Sequence, residues 1–138
     1  MLLADLPGGS VTTPLSPGAM KAMVRQHFED FVNNKKAEVI RHNMSANFLD
    51  HDGPGGKQTG IDGDEAMMRG MYEIFPDLRV TIEDMVAEAD KVVCRNRWEG
   101  THAKTGKRME FHGFVEWRFV GNKIAERWAT VTAPAEMK

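Results

Sequence analysis

Glu126 is the acidic residue whose predicted surroundings most favour chemistry. A predicted two-residue turn at Gly121-Asn122 pairs the strand before the turn with the strand after it, which contains Glu126. With strict alternation, Glu126 shares one apolar face with Trp117 and Trp128. Loss of water raises the pKa of such an acid, which suits proton abstraction beside a carbonyl group near neutral pH. We therefore predict a catalytic role for Glu126, with a structural bond to an arginine or a backbone amide as the alternative.

His51 is the second predicted catalytic residue. It follows a short apolar run and precedes the loop 52–56, whose glycines and proline exclude regular structure. This position predicts a side chain at the mouth of a pocket. A hydrogen bond that fixes the loop is the alternative.

The remaining predicted site residues line a pocket for a ligand. Asn96 alternates onto the same face as Trp98, and an inward amide can orient a ligand carbonyl or serve as a plain core amide. His27 lies on the apolar stripe of the first helix, where it faces either the core or a cavity. The full predicted pocket set is His27, Met71, Phe75, Asn96, Trp98, Trp117 and Trp128.

The sequence predicts no metal site and no cofactor. Cys94 is the single cysteine, and the histidines show no His-x-His or His-Glu-x-x-His spacing. The chain also lacks the glycine-rich loops that bind dinucleotides or phosphates and the nucleophile elbow of hydrolases.

Composition indicates one ordinary globular domain. The chain has 138 residues, is 41% hydrophobic and 28% charged, and carries a net charge of -2. That balance disfavours nucleic acid as a partner, and no apolar run is long enough to cross a membrane. The N-terminus does not resemble a signal peptide, so we expect a cytoplasmic protein. Residues 1–16 are predicted to be a flexible extension and residues 17–138 the domain.

Hydrophobic periodicity predicts three helices followed by strands. Ser16-Pro17 is typical of a helix start, and a shorter second helix follows. Asp62 or Asp64 is predicted to cap the third helix, which Pro76 ends. From Leu78 onward the period changes to two, which predicts four antiparallel strands after one short earlier strand. The order predicts an α+β fold with the helices on one face of a curved, mainly antiparallel sheet that encloses a cone.

Several short motifs carry a family resemblance over roughly residues 20–132. They are Phe75-Pro76-Asp77-Leu78, Ala89-Asp90-Lys91-Val92-Val93, Gly100-Thr101-His102 and the run from Gly121 to Trp128. The chain resembles the SnoaL-like polyketide cyclases and ester cyclases of the NTF2-like superfamily. The resemblance implies a cone-shaped fold, a homodimer, and ring closure by aldol chemistry in which a pocket carboxylate moves the proton and no metal takes part. The family commonly has an aspartate four residues after the last tryptophan, where this chain has Thr132.

Three functions remain open at this point, and the third is a purely dimeric interaction domain with a vestigial pocket. The first is an enzyme that acts on a hydrophobic, polyketide-like carbonyl compound by cofactor-free general acid–base chemistry, of cyclase or isomerase type. The second is a non-catalytic module that binds an apolar small molecule, which the residue at Thr132 favours. On the outer sheet face, His112, Phe114 and Val131 are predicted to form a homodimer surface, with coverage of this strip by the N-terminal extension as the alternative.

Overall fold

The computed structural model describes residues 13–138, and the predicted extension falls mostly outside them. The helices are α1 (Pro17–Phe28), α2 (Ile40–Asn43) and α3 (Ile61–Ile74), and single turns of other helical geometry cover Glu29–Asn33, Ala37–Val39 and Pro54–Gly56. The strands are β1 (Met44–Asp50), β2 (Arg79–Glu88), β3 (Lys91–Thr101), β4 (Arg108–Val120), β5 (Lys123–Val131) and β6 (Ala135–Glu136). In the described part of the chain, no helix is long and apolar enough to cross a membrane.

The six strands form one sheet in the order β1-β5-β4-β3-β2, with β6 paired to the far end of β4. β1 runs parallel to β5, and every other pairing is antiparallel. The helices cover one face, so the predicted α+β architecture with helices on a mainly antiparallel sheet is confirmed. The face that the helices cover is called the inner face below, and the opposite face is the outer face.

The start of α1 follows from local sequence. The Ser16 side chain accepts a hydrogen bond from the backbone of Ala19, and Pro17 occupies the first helical position, where its missing N–H costs nothing. Met20, Val24 and Phe28 then lie buried along one face of α1 against the sheet. Leu15, just before the cap, also packs against this core.

The predicted register of the final hairpin is wrong beyond its first two pairs. Phe119 pairs with Ile124, but the next residue of β4, Arg118, pairs with Glu126. Ala125 is therefore an extra residue, a β-bulge, and both Ile124 and Ala125 are buried. Because side chains alternate with a period of two, this one insertion reverses the side to which every later residue of β5 points.

The predicted cap of α3 is also wrong. The helix begins at Ile61 with Gly60 in the capping position, and no side chain caps it. Asp62 is instead an exposed residue of the first turn, and Asp64 is buried. The acids of the first turn still favour the positive end of the helix dipole, which explains why the sequence resembles a cap.

Candidate active site

A small cavity inside the cone opens into a wider cleft at the rim. The inner cavity has a volume of about 50 Å³, and the cleft has a volume of about 390 Å³. Met67, Met68, Trp98 and Arg127 line both spaces and so mark their junction. The inner lining combines apolar side chains with four polar or charged ones, His27, Asp50, Asp64 and Arg127. A ligand with an apolar body and one polar group fits this division of surfaces.

Asp50 and Arg127 form a buried ion pair on the lining of the inner cavity. Nη1 of Arg127 donates to both carboxylate oxygens of Asp50 at 3.1 and 3.0 Å. The Asp52 backbone N–H also donates to Asp50, at 2.9 Å. The bulge at Ala125 turns Arg127 inward, and the pairing of β1 with β5 places Asp50 opposite it. The pair compensates two charges that burial alone would strongly disfavour.

Asp64 is the ionisable group whose environment best suits proton transfer. Its side chain is buried, and Oδ1 has no hydrogen-bond partner among the described residues. Burial raises the pKa of Asp64 to about 8, and the Asp50 carboxylate contributes through a side-chain hydrogen bond and charge repulsion, while Arg127 opposes the shift. An acid with this pKa exchanges a proton readily near neutral pH.

His27 lies on α1 and also lines the cavity. Its ring stacks on Phe31, with centroids 4.9 Å apart, and meets the edge of Trp117 at 5.6 Å. Asn43 Nδ2 lies 2.8 Å from His27 Nδ1. Burial, together with the positive charge of Arg127, lowers the pKa of His27 to about 3, against a small opposing effect of Asp30. The imidazole is therefore neutral at physiological pH.

Glu126 is not in the cavity, which corrects the leading sequence prediction. The bulge turns it to the outer face, where it accepts from Arg118 Nε at 2.6 Å and lies 2.7 Å from His51 Nε2. Hydrogen bonds from His51 and then Arg118 lower the pKa of Glu126, so the predicted upward shift is wrong. His51 stacks at 4.8 Å on Trp128, which the bulge has also turned outward. The structure thus brings the two predicted catalytic residues together, but outside the cone.

The other predicted pocket residues divide between the cavity, the cleft and the core. Trp117 and His27 line the inner cavity, Met71 lines the cleft, and Trp98 lines both. Asn96 is fully buried, and its amide donates to Cys94 Sγ rather than lining either space. Phe75 packs in the core with its ring edge-on to His102.

Three functional candidates were missed in the sequence: Asp50, Asp64 and Arg127. The sequence does carry a signal for Asp64, which falls three residues before Met67 on the apolar stripe of α3. That spacing indicates an acid that faces inward. Asp50 ends an apolar run, at a position where an acid would otherwise be expected to face solvent. No local signal reveals the bulge that brings Arg127 to it.

Thr132, which occupies the position of the family's common aspartate, is exposed just beyond β5. Its hydroxyl accepts a hydrogen bond from the His112 backbone at 3.1 Å. This residue therefore closes the strand pairing at the rim and takes no place in the inner cavity.

A groove elsewhere on the surface differs from this site in its lining. This groove of about 810 Å³ lies between α1 and β2 and is lined largely by exposed polar residues. Within residues 13–138, no group of three or more histidine, cysteine or acidic side chains is arranged to hold a metal ion.

Comparisons with known proteins agree with this architecture. The family model described as SnoaL-like polyketide cyclase matches residues 22–133. AclR of Streptomyces galilaeus, provisionally assigned as a hydroxylase, superposes with a TM-score of 0.75 at 24% identity over 85% of this chain and 91% of its own. A provisionally assigned polyketide cyclase of Bacillus cereus gives 0.73 at 26% identity over 95% and 90%. No curated protein sequence matches the chain. Since the two neighbours carry different assignments, the shared fold does not determine the reaction.

Proposed function

The chain belongs to the SnoaL-like polyketide cyclase family, and on that premise we propose that it is a cofactor-free enzyme that moves a proton at a carbon beside a carbonyl group. The observation that carries the proposal is the buried Asp64 carboxyl in an otherwise largely apolar cavity, beside the Asp50–Arg127 ion pair. The substrate is a hydrophobic carbonyl compound, and the reaction is of cyclase or isomerase type.

The shape of the two spaces supports this substrate class. The inner cavity of about 50 Å³ has room for little more than one functional group, and the cleft of about 390 Å³ accommodates a ring system. Trp98 stacks on Phe111 at 5.2 Å along the cleft, which provides a flat apolar surface. A flat apolar body in the cleft would direct its carbonyl group inward, towards Asp64.

The proposed chemistry uses Asp64 first as a base and then as an acid. Its carboxylate takes a proton from the carbon next to the carbonyl, and the electron pair of that C–H bond moves into the enolate. In a cyclase the enolate carbon then attacks a second carbonyl of the same molecule. Asp64 returns the proton to the new alkoxide, or to carbon in an isomerase, so that atoms and charge balance.

Deuterium exchange tests the proposal without knowledge of the natural substrate. In D₂O, the protein should accelerate exchange of the α-protons of α-tetralone, a bicyclic aromatic ketone, as measured by NMR. Tetralin, which has the same rings without the oxygen, should inhibit the exchange competitively because it fills the cleft. Binding of α-tetralone, seen as quenching of tryptophan fluorescence, without any accelerated exchange would contradict the enzyme and identify a binding module.

We further propose a homodimer formed through the outer face of the sheet. Phe114 is 55% exposed and Val86 61% exposed on this face, where helices do not cover the sheet. His112 is exposed beside them as predicted, but Val131 is not part of this surface, because the bulge turns it inward to the cleft. Large apolar side chains left exposed on a sheet favour association with a second copy.

A pair of charge substitutions tests the dimer. Phe114→Asp should convert a dimer at micromolar concentration into a monomer, because it places two carboxylates in an apolar contact related by twofold symmetry. Val131→Asp is the matched control and should leave the molar mass unchanged, since it lies at the cleft. Analytical ultracentrifugation measures both. A wild-type monomer, or a dimer that persists in the Phe114 variant, would refute the proposed surface.

A further inference from the structure

One polar side chain of the inner cavity has no part in the proton transfer described above. His27 is 1% exposed, lines the cavity and makes a single side-chain hydrogen bond in the described structure, through Nδ1 to Asn43. Because it shares the cavity lining with Asp64, it is available to a ligand that reaches the cavity.

The contact with Asn43 determines which nitrogen of the ring carries the proton. The amide nitrogen of asparagine can only donate, so His27 Nδ1 must accept across the 2.8 Å contact. A neutral imidazole has one proton, which then resides on Nε2. The ring is held by stacking on Phe31 and by the edge contact with Trp117, so the Nε2–H group is fixed in direction.

We propose that His27 is the hydrogen-bond donor to the carbonyl oxygen of the substrate, and that Asn43 is the positioning residue that keeps the Nε2–H tautomer. This inference rests on the proposed function and assigns the group that stabilises its enolate. When Asp64 removes the proton from carbon, negative charge develops on the oxygen, and the Nε2–H bond to that oxygen strengthens. A preorganised donor in a site with little water stabilises such a charge at low reorganisation cost.

The neutral state of the ring is consistent with this role. The charged groups near the ring are Arg127 and Asp30, and burial together with Arg127 keeps the pKa of His27 far below neutrality. A neutral imidazole can donate to an enolate oxygen without transferring its proton completely. Trp117, whose Nε1 lacks a partner in the described structure, lies beside His27 on the same lining.

Spectroscopy of the full-length protein tests the tautomer and the contact separately. Nitrogen NMR of the labelled protein should show His27 protonated at Nε2 and unprotonated at Nδ1. With bound, carbonyl-labelled α-tetralone, infrared spectra should show the carbonyl stretch at lower frequency than in hydrocarbon solvent, because hydrogen bonding weakens the double bond. The opposite tautomer, or an unshifted stretch, would overturn the proposal.

Variants assign the shift to His27. His27→Phe keeps a stacking ring but should return the stretch towards its solvent value and weaken α-tetralone binding about 2- to 10-fold, the effect of one hydrogen bond, with tetralin binding unchanged. His27→Gln, whose amide can donate from a similar position, should restore part of the shift. His42→Phe, at an exposed histidine outside the proposed dimer surface, is the matched control and should change neither. An undiminished shift in His27→Phe would contradict the assignment.

The same experiment separates this inference from the proposed function. Asp64→Asn should retain the infrared shift, because it leaves His27 and Asn43 in place, even though proton exchange fails. A shifted stretch without exchange in the wild-type protein would retain His27 as a binding donor and reject the enzyme. Exchange of α-protons in the wild-type protein without any shift of the carbonyl stretch would retain the enzyme and reject His27 as the donor.

Discussion

Asp64→Asn should lower the rate of α-proton exchange by about 10²–10⁴-fold, the usual contribution of a positioned general base. The amide keeps the size of the side chain and can still donate a hydrogen bond to Asp50, but it cannot take a proton from carbon. Binding of α-tetralone should change little. Exchange is measured by NMR in D₂O, and binding by tryptophan fluorescence.

The pH dependence gives this prediction a second signature. Asp64 must be ionised to act as a base, and its pKa is raised to about 8 by burial and by Asp50. The exchange rate should therefore rise with pH below about 8, by nearly tenfold per unit, and level off above that value. The Asp64→Asn variant should lack this rise.

Asp62 provides the control, since it lies two residues earlier in the same helix and is exposed, in an ion pair with Arg41. Asp62→Asn should exchange α-protons at the wild-type rate. Equal rates in the wild type and in Asp64→Asn would remove Asp64 from the mechanism, whatever the effect on binding.

Arg127→Met should lower the free energy of unfolding by about 3–5 kcal/mol, as expected when one partner of a buried ion pair is removed. Asp50 is only 1% exposed at its side chain, so its charge would remain without compensation among apolar neighbours. Urea unfolding at pH 7 measures the loss. Arg41→Met is the matched control: it breaks the surface ion pairs with Asp62 and Glu65 and should lower the stability far less.

A double variant distinguishes the charge from the packing. Asp50→Asn removes the charge that Arg127→Met leaves behind, and the asparagine can still accept from the Asp52 backbone. The double variant should therefore recover most of the stability that Arg127→Met loses. If it is no more stable than Arg127→Met, the role of Arg127 is packing over Trp117, with which its guanidinium lies at 5.6 Å.

The general architecture was accessible from the sequence because it depends on repeated local signals. The serine and proline before α1, the spacing of apolar residues on three helices and the alternation after Leu78 each predict an element that the structure contains. The lining of the inner cavity could be predicted from the sequence only in part. His27, Trp98 and Trp117 line the inner cavity, which agrees with the helical spacing in α1 and with the strand alternation before the bulge.

The charged residues that face the cavity were not predicted because their positions depend on long-range contacts that periodicity does not record. Strict alternation led to Glu126, but Ala125 adds one residue, and that addition exchanged Glu126 for Arg127 on the inner face. Asp50 and Asp64 are far apart in the chain and look like surface acids until the fold brings both to the cavity. Burial of these acids is a property of the tertiary structure alone.

The bulge at Ala125 also means that one residue decides which charged side chain of β5 faces the cavity. Deletion of that residue would restore alternation along β5, carry Glu126 inward and send Arg127 to the outside. The lining would then have acids from three segments of the chain and no arginine to balance them. A single in-frame deletion could thus turn a cavity whose arginine offsets one acid into a cavity lined by acids without a counter-charge. Alignments of relatives that differ by such a deletion therefore need gaps placed by strand pairing rather than by residue similarity.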